Sequence, residues 1–135
     1  MLVVDTSAVV EVIAGRTPPE HLVDRLATDG DLHGPHLIDV EVLHVLRRLA
    51  QSGDLSDDRA QDARADFADL VVLRYPDAPL ADRAWELRAN LTAHDAMFVA
   101  LAEALDVPLV TCDAKLAAAP GHCARVELFE ISPGP

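Results

Sequence analysis

Aromatic residues are scarce in this chain: one Trp, one Tyr and three Phe, 4% of 135 positions. A core with so few rings is built from Val, Leu, Ile and Ala, in a sequence half of which is hydrophobic. No apolar run approaches the roughly 20 residues that a membrane span needs, so no membrane association is expected. Cysteine is nearly absent as well. Cys112 and Cys123 sit in unlike contexts, match no metal or redox spacing, and read as two reduced thiols of a cytoplasmic protein. Six histidines are present, but His33 and His36 only flank a turn-like "GP" and the other four are scattered. Zinc, which takes clustered His or Cys ligands, is therefore not expected. A Gly-rich phosphate loop and a GxSxG serine elbow are both missing. The first residues, "MLVVD", are strand-like rather than a basic-then-apolar leader, so no secretion signal is expected.

Positive charge is in deficit too. Eleven Lys and Arg stand against 23 Asp and Glu, a net charge of −12. Such a body repels nucleic acid and membrane phosphates at long range. It calls for a basic partner, a cation, or both, and admits a nucleic-acid substrate only through local basic groups and metal ions.

What is present is an alternation of short strands and helices. The length suits one domain over residues 1–135, with no repeat and no Gly- or Ser-rich linker to divide it. "LVVD" (2–5) reads as a strand. "SAVVEVIAG" (7–15) reads as a helix capped by Ser7 and ended by Gly15. "PPEHLVDRLAT" (18–28) opens on proline, which suits a first helical turn. "DLHGP" (31–35) is a brief strand or turn, and residues 36–53 form the longest helix, closed by Gly53. Ser56 caps an acidic-fronted helix over 56–70. "VVLRYP" (71–76) is a strand and "PLADRAWELRAN" (79–90) a helix. "TAHDAMFVALAEALD" (92–106) is apolar almost all round, the mark of a buried helix. "PLVTCD" (108–113), a short helical "AKLAAAP" (114–120) and an edge strand "RVELFEI" (125–131) complete the chain. Strands separated by helices predict an α/β fold, a mostly parallel sheet with helices on both faces.

Four carboxylates stand out. Asp5 and Asp113 each end a predicted strand just before a helix, where an open parallel sheet binds its ligands. Either alone is also a good helix cap. Asp95 fits a capping box with Thr92, yet residues 96–102 contain no polar side chain, so this helix starts inside the protein. A carboxylate there needs a partner such as a divalent cation. On a helical wheel Glu41 shares a polar stripe with His44, Arg48, Gln51 and Ser52, and periodicity alone assigns it to solvent. With oxygen donors only, the metal would be Mg²⁺ or Mn²⁺.

"LVVDTSAVV", "LIDVEVLHVLRRL", "LTAHDAMFVALAEAL" and "LVTCDAKL", in this order and at these separations, resemble the PIN-domain ribonucleases, specifically the VapC toxins of toxin–antitoxin pairs. The resemblance covers nearly the whole chain and implies a PIN-like three-layer fold. It makes Asp5, Glu41, Asp95 and Asp113 an acidic quartet, and it is what draws Glu41 out of the solvent stripe. It implies a Mg²⁺- or Mn²⁺-dependent endoribonuclease leaving 5′-phosphate and 3′-hydroxyl ends. Further implications are a VapB-type antitoxin laid across the site, an RNA substrate and a homodimer. Ser7 and Thr111 match small hydroxyl residues that orient the carboxylates, a role that for Ser7 competes with capping. His94 and Cys112 depart from the family's usual residues without removing an acid. The four acids set aside, 19 acidic residues still face 11 basic ones, so RNA must be met locally, with Arg47, Arg48 and Arg88 as candidates. Two other readings are a PIN fold that binds without cutting and a receiver-like Mg²⁺-binding switch using Lys115. The latter wants paired acids at the end of the first strand, where Thr6 and Ser7 follow Asp5.

Overall fold

The computed structural model describes residues 1–131, so the last four positions of the expected domain lie outside the described residues. Five strands form one sheet: β1 (Leu2–Val4), β2 (Leu32–Pro35), β3 (Val72–Tyr75), β4 (Leu109–Thr111) and β5 (Val126–Leu128). Their order is β3-β2-β1-β4-β5 and every pairing is parallel. Val3 faces Leu109 across the β1–β4 pair, while Leu2 faces Leu32 across β1–β2. The chain therefore walks outward from β1 to β3, crosses back, and continues from β4 to β5. The reversal falls between β1 and β4, the topological switch point where parallel sheets place ligands.

Helices α1 (Thr6–Ala14), α2 (Leu22–Asp29), α3 (Leu37–Ser52) and α4 (Asp57–Asp69) make the outward crossovers and pack on one another. After a 3₁₀ turn (Ala78–Leu80), α5 (Ala81–Glu86) and α6 (Ala93–Leu105) carry the chain back over β2 and β1 to β4. Right-handed crossovers in opposite directions put these two groups on opposite faces. The short α7 (Ala114–Ala118) links β4 to β5. Three layers result, as the sequence pattern predicts.

Burial on both faces leaves β1, β2 and β4 buried at every position; β1 is apolar throughout, while β2 carries a buried His33 and β4 ends on a buried Thr111. Helix α6 buries Ala96 and the whole segment Phe98–Ala102. Despite the shortage of rings, Phe98 and Phe67 are both in the core, Phe98 with no exposed surface, among Val, Leu, Ile and Ala neighbours.

Local expectations are mostly met at helix ends. Ser56 accepts from the Arg59 N–H at 3.2 Å, and Gly53 closes α3 at φ 81°, a left-handed conformation that glycine adopts without strain. Three expectations are corrected. Ser7 does not cap α1; the helix starts at Thr6 with Asp5 at the cap position. Helix α2 starts at Leu22, after a left-handed His21, and not at Pro18. Pro19 disfavours helical geometry at Pro18. The segment 79–90 is α-helical only over Ala81–Glu86, flanked by a 3₁₀ turn and bonded turns.

Because Phe98 has no exposed surface, Phe98→Ala should lower the unfolding free energy by about 3–5 kcal/mol. Val71, 82% exposed, is the control: Val71→Ser should shift it by less than about 0.5 kcal/mol. Urea unfolding of the two variants beside the wild type checks both.

Candidate active site

Asp5 leaves the end of β1 with its N–H on the Val110 carbonyl of β4 at 3.0 Å. It occupies the cap position of α1, yet its side chain makes no capping bond. Instead the hydroxyls of Ser7 and Thr111 both donate to Oδ2, at 2.6 and 2.7 Å. Each hydroxyl also accepts a backbone N–H from the end of β4, Ser7 from Cys112 at 2.9 Å and Thr111 from Asp113 at 3.0 Å. The two hydroxyl oxygens are 3.2 Å apart, but both protons are committed to Asp5. Thr111 is fully buried and Asp5 only 4% exposed. Ser7 and Thr111 thus orient a carboxylate, and no side chain among the described residues donates to its Oδ1.

Asp113 also keeps its cap, Oδ1 accepting from Lys115 N at 2.9 Å and Leu116 N at 3.4 Å. Asp95 receives the cap rather than making one: its N–H donates to Thr92 Oγ1 at 3.2 Å, and its carboxylate does not return to the Thr92 N–H. Glu41 sits one turn into α3, half-buried and in weak contact with the Thr6 hydroxyl at 3.4 Å. Of the stripe read from periodicity, His44, Arg48, Gln51 and Ser52 are exposed as expected, and only Glu41 is drawn in from solvent. Val45 and Leu49 border it, and these with Glu41 and Arg48 face α1 across a cavity.

That cavity, about 350 Å³, holds Asp5, Glu41, Asp95 and Asp113 in its wall. Four segments far apart in sequence therefore meet at the rim of the sheet beside the β1–β4 junction. Their charges act on one another. Burial raises the pKa of Asp5, outweighing the Ser7 and Thr111 hydroxyls, and the Asp113 charge adds to the rise. Burial likewise raises Asp95, with Asp5 and Asp113 adding. Glu41 is raised by burial and by Asp5 and Asp95, against a lowering effect of nearby His94. Cys112, between Thr111 and Asp113, is pushed up to about 12 by burial and by Glu11 and Asp5.

Of the basic candidates, only Arg48 lines this cavity. Arg47 lies in a groove between α3 and α4, and Arg88 stacks on the Trp85 ring at 4.4 Å. A fifth acid, Glu11, lies in the cavity wall and was missed by sequence reasoning. The available signal was its position four residues after Ser7, on the same face of α1.

The donors suit a hard divalent cation. All are carboxylate oxygens, as Mg²⁺ and Mn²⁺ prefer, and three are held uncomfortably charged by burial and by each other. As the side chains lie, no three His, Cys, Asp or Glu among the described residues stand close enough to hold one ion. Mutual repulsion favours such spacing.

A carboxyl that titrates higher in the folded chain than in the unfolded one gives its full stability below the unfolded pKa and loses it as pH rises through the folded value. Without divalent cations, melting temperature should therefore fall as pH rises above the ordinary carboxylate range. Asp5→Asn keeps an acceptor for both hydroxyls and removes the buried charge. Metal-free Asp5→Asn should melt higher than the wild type at pH 7, by roughly 3–5 °C for about 1 kcal/mol. The gap should close near pH 4; calorimetry in chelator across this range checks it.

A PIN domain is matched over residues 2–121. Ribonuclease VapC1 of Mycobacterium tuberculosis is 43% identical over 127 residues, 93% of this chain and 96% of that protein. Ribonuclease VapC12 of the same organism is 40% identical over 128 residues, 95% and 98% of the two chains. A toxin–antitoxin complex from Klebsiella pneumoniae superposes with a TM-score of 0.67 at 20% identity, over 97% of this chain and all of that one, a likeness of fold. With that fold, and with two-fifths of its residues shared with such relatives over nearly their full length, this chain belongs to the PIN-domain family, in its VapC group.

Proposed function

We propose that this protein is the toxin of a toxin–antitoxin pair, a Mg²⁺- or Mn²⁺-dependent endoribonuclease that stops growth by cutting RNA. The observation that carries the reading is the meeting of Asp5, Glu41, Asp95 and Asp113 in one cavity at the sheet's switch point, in a chain whose relatives are named ribonucleases. The chain acts as one PIN domain over its 135 residues.

Asp5 and Asp95 would be the primary holders of the metal, with Asp113 completing the set. When bound, the metal supplies a water of lowered pKa and a positive charge for the leaving oxygen. Asp5 presents Oδ1 to the cavity because Ser7 and Thr111 hold Oδ2. Glu41, whose proton affinity is raised, accepts the proton of the attacking water and orients it along the phosphodiester. Single-stranded nucleotides splayed from a loop fit such a cavity better than a duplex. Arg48, in the same wall, faces the substrate's phosphates. In-line attack leaves a 5′-phosphate and a 3′-hydroxyl.

The partner is a VapB-type antitoxin. A basic segment offering Arg or Lys to the acidic cluster suits the net charge of −12. The protein works in the cytoplasm as a homodimer.

Two measurements test the reading. Mn²⁺ should raise the wild-type melting temperature, by about 2.7 kcal/mol of stability at a hundredfold excess over Kd, and leave Asp5→Asn unmoved. A wild type that gains nothing from Mn²⁺ defeats the metal site. Incubated with total RNA and Mn²⁺, the wild type should release 5′-phosphorylated fragments, and Asp95→Asn at least about 100-fold fewer.

A further inference from the structure

We propose that Glu11 is a specificity-determining residue that reads an unpaired guanine next to the cleaved phosphodiester, an inference that rests on the nuclease reading above. The cavity continues past the four carboxylates. From α1, Val10 and Glu11 line it one turn beyond Thr6 and Ser7. From α3, Val45, Arg48 and Leu49 line it one and two turns beyond Glu41, a run of about 12 Å along the helix axis. This second half differs in chemistry from the first. It has apolar walls, one cation and one carboxylate, the combination of a base-and-phosphate subsite rather than of a metal cage.

Glu11 is partly buried, and burial raises its pKa. No hydrogen bond reaches its carboxylate among the described residues, whereas Asp5 and Asp113 are both held by donors. Its placement has a requirement. A Cβ on residue 15 would lie 2.5 Å from Glu11 Oε2 and 2.5 Å from the Glu11 carbonyl oxygen, so Gly15 leaves the room that the carboxylate occupies. Arg48 makes no ion pair among the described residues and is free to meet the flanking phosphate.

A carboxylate only accepts hydrogen bonds. Guanine alone presents two parallel donors on its pairing edge, N1–H and the N2 amino group, which one carboxylate accepts together. Adenine and cytosine set an acceptor nitrogen beside their amino group, and uracil sets its N–H between two carbonyls. Each of these meets Glu11 with at least one repulsive contact. The base must be unpaired for that edge to be available.

The test has two arms. In the first, a randomised single-stranded RNA is cut in Mn²⁺ and the ends are sequenced. The wild type should favour guanine at one fixed position beside the cut by at least about tenfold, and Glu11→Gln, which retains one acceptor only, should reduce this to about threefold or less with cleavage continuing. Glu11→Asp, which retains the charge but withdraws it by one methylene, should also weaken the preference. In the second arm, GMP, AMP, CMP and UMP are titrated into the full chain in Mg²⁺ by NMR, with the same ranking expected and the same loss in Glu11→Gln. A wild type that cuts no RNA ends the nuclease reading, and the nucleotide arm then decides Glu11 alone. The proposal is overturned if neither arm shows a guanine preference that depends on Glu11. It is also overturned if Glu11→Gln keeps its base preference while losing affinity for an arginine-containing peptide, which would assign Glu11 to peptide docking.

Discussion

Two hydroxyl protons donated to a single carboxylate oxygen hold the centre of this molecule. Ser7 and Thr111 both donate to Asp5 Oδ2, and both accept N–H groups from the end of β4. This knot joins the first strand to the fourth at the place where strand order reverses. It anchors Oδ2 of Asp5, and it satisfies the backbone where β4 stops pairing. A buried polar network of this kind is costly if any member is left unpaired; here no buried side-chain polar atom among the described residues lacks a partner.

Around the knot, electrostatics and stability pull in opposite directions. Burial, and the charges of neighbouring acids, raise the pKa values of Asp5 and Asp95. Capping would relieve such charge, but only Asp113 uses its side chain in that way. Asp5 and Asp95 stand at or near helix starts, yet leave their carboxylates to the cavity. The scaffold thus keeps like charges together at its own expense, as sites selected for binding commonly do.

Much of this was legible in the sequence. Short strands separated by helices gave away a parallel sheet, and Asp5 and Asp113 could be placed at its rim from their position after "LVV" and "VTC". Glu41 could not. Its neighbours at helical spacing are polar on one side and apolar on the other, and only the packing of α1 across Val45 and Leu49 decides that this border is enclosed. Glu11 was hidden for a related reason, since one acid in "SAVVEVIAG" looks like the outward face of a short helix. Ser7 was ambiguous: a serine ahead of an apolar run signals a cap, the family resemblance an orienting hydroxyl, and its hydroxyl goes to Asp5. Pairwise side-chain choices among distant segments are what local patterns leave undetermined.

The same knot spans 104 to 106 positions of the chain. During translation Asp5 emerges early and waits, while Thr111 and Asp113 are still to be made. The cavity cannot close around its four acids until the chain through Asp113 has left the ribosome. Any nascent chain that ends short of Asp113 lacks one of the four acids that line the cavity.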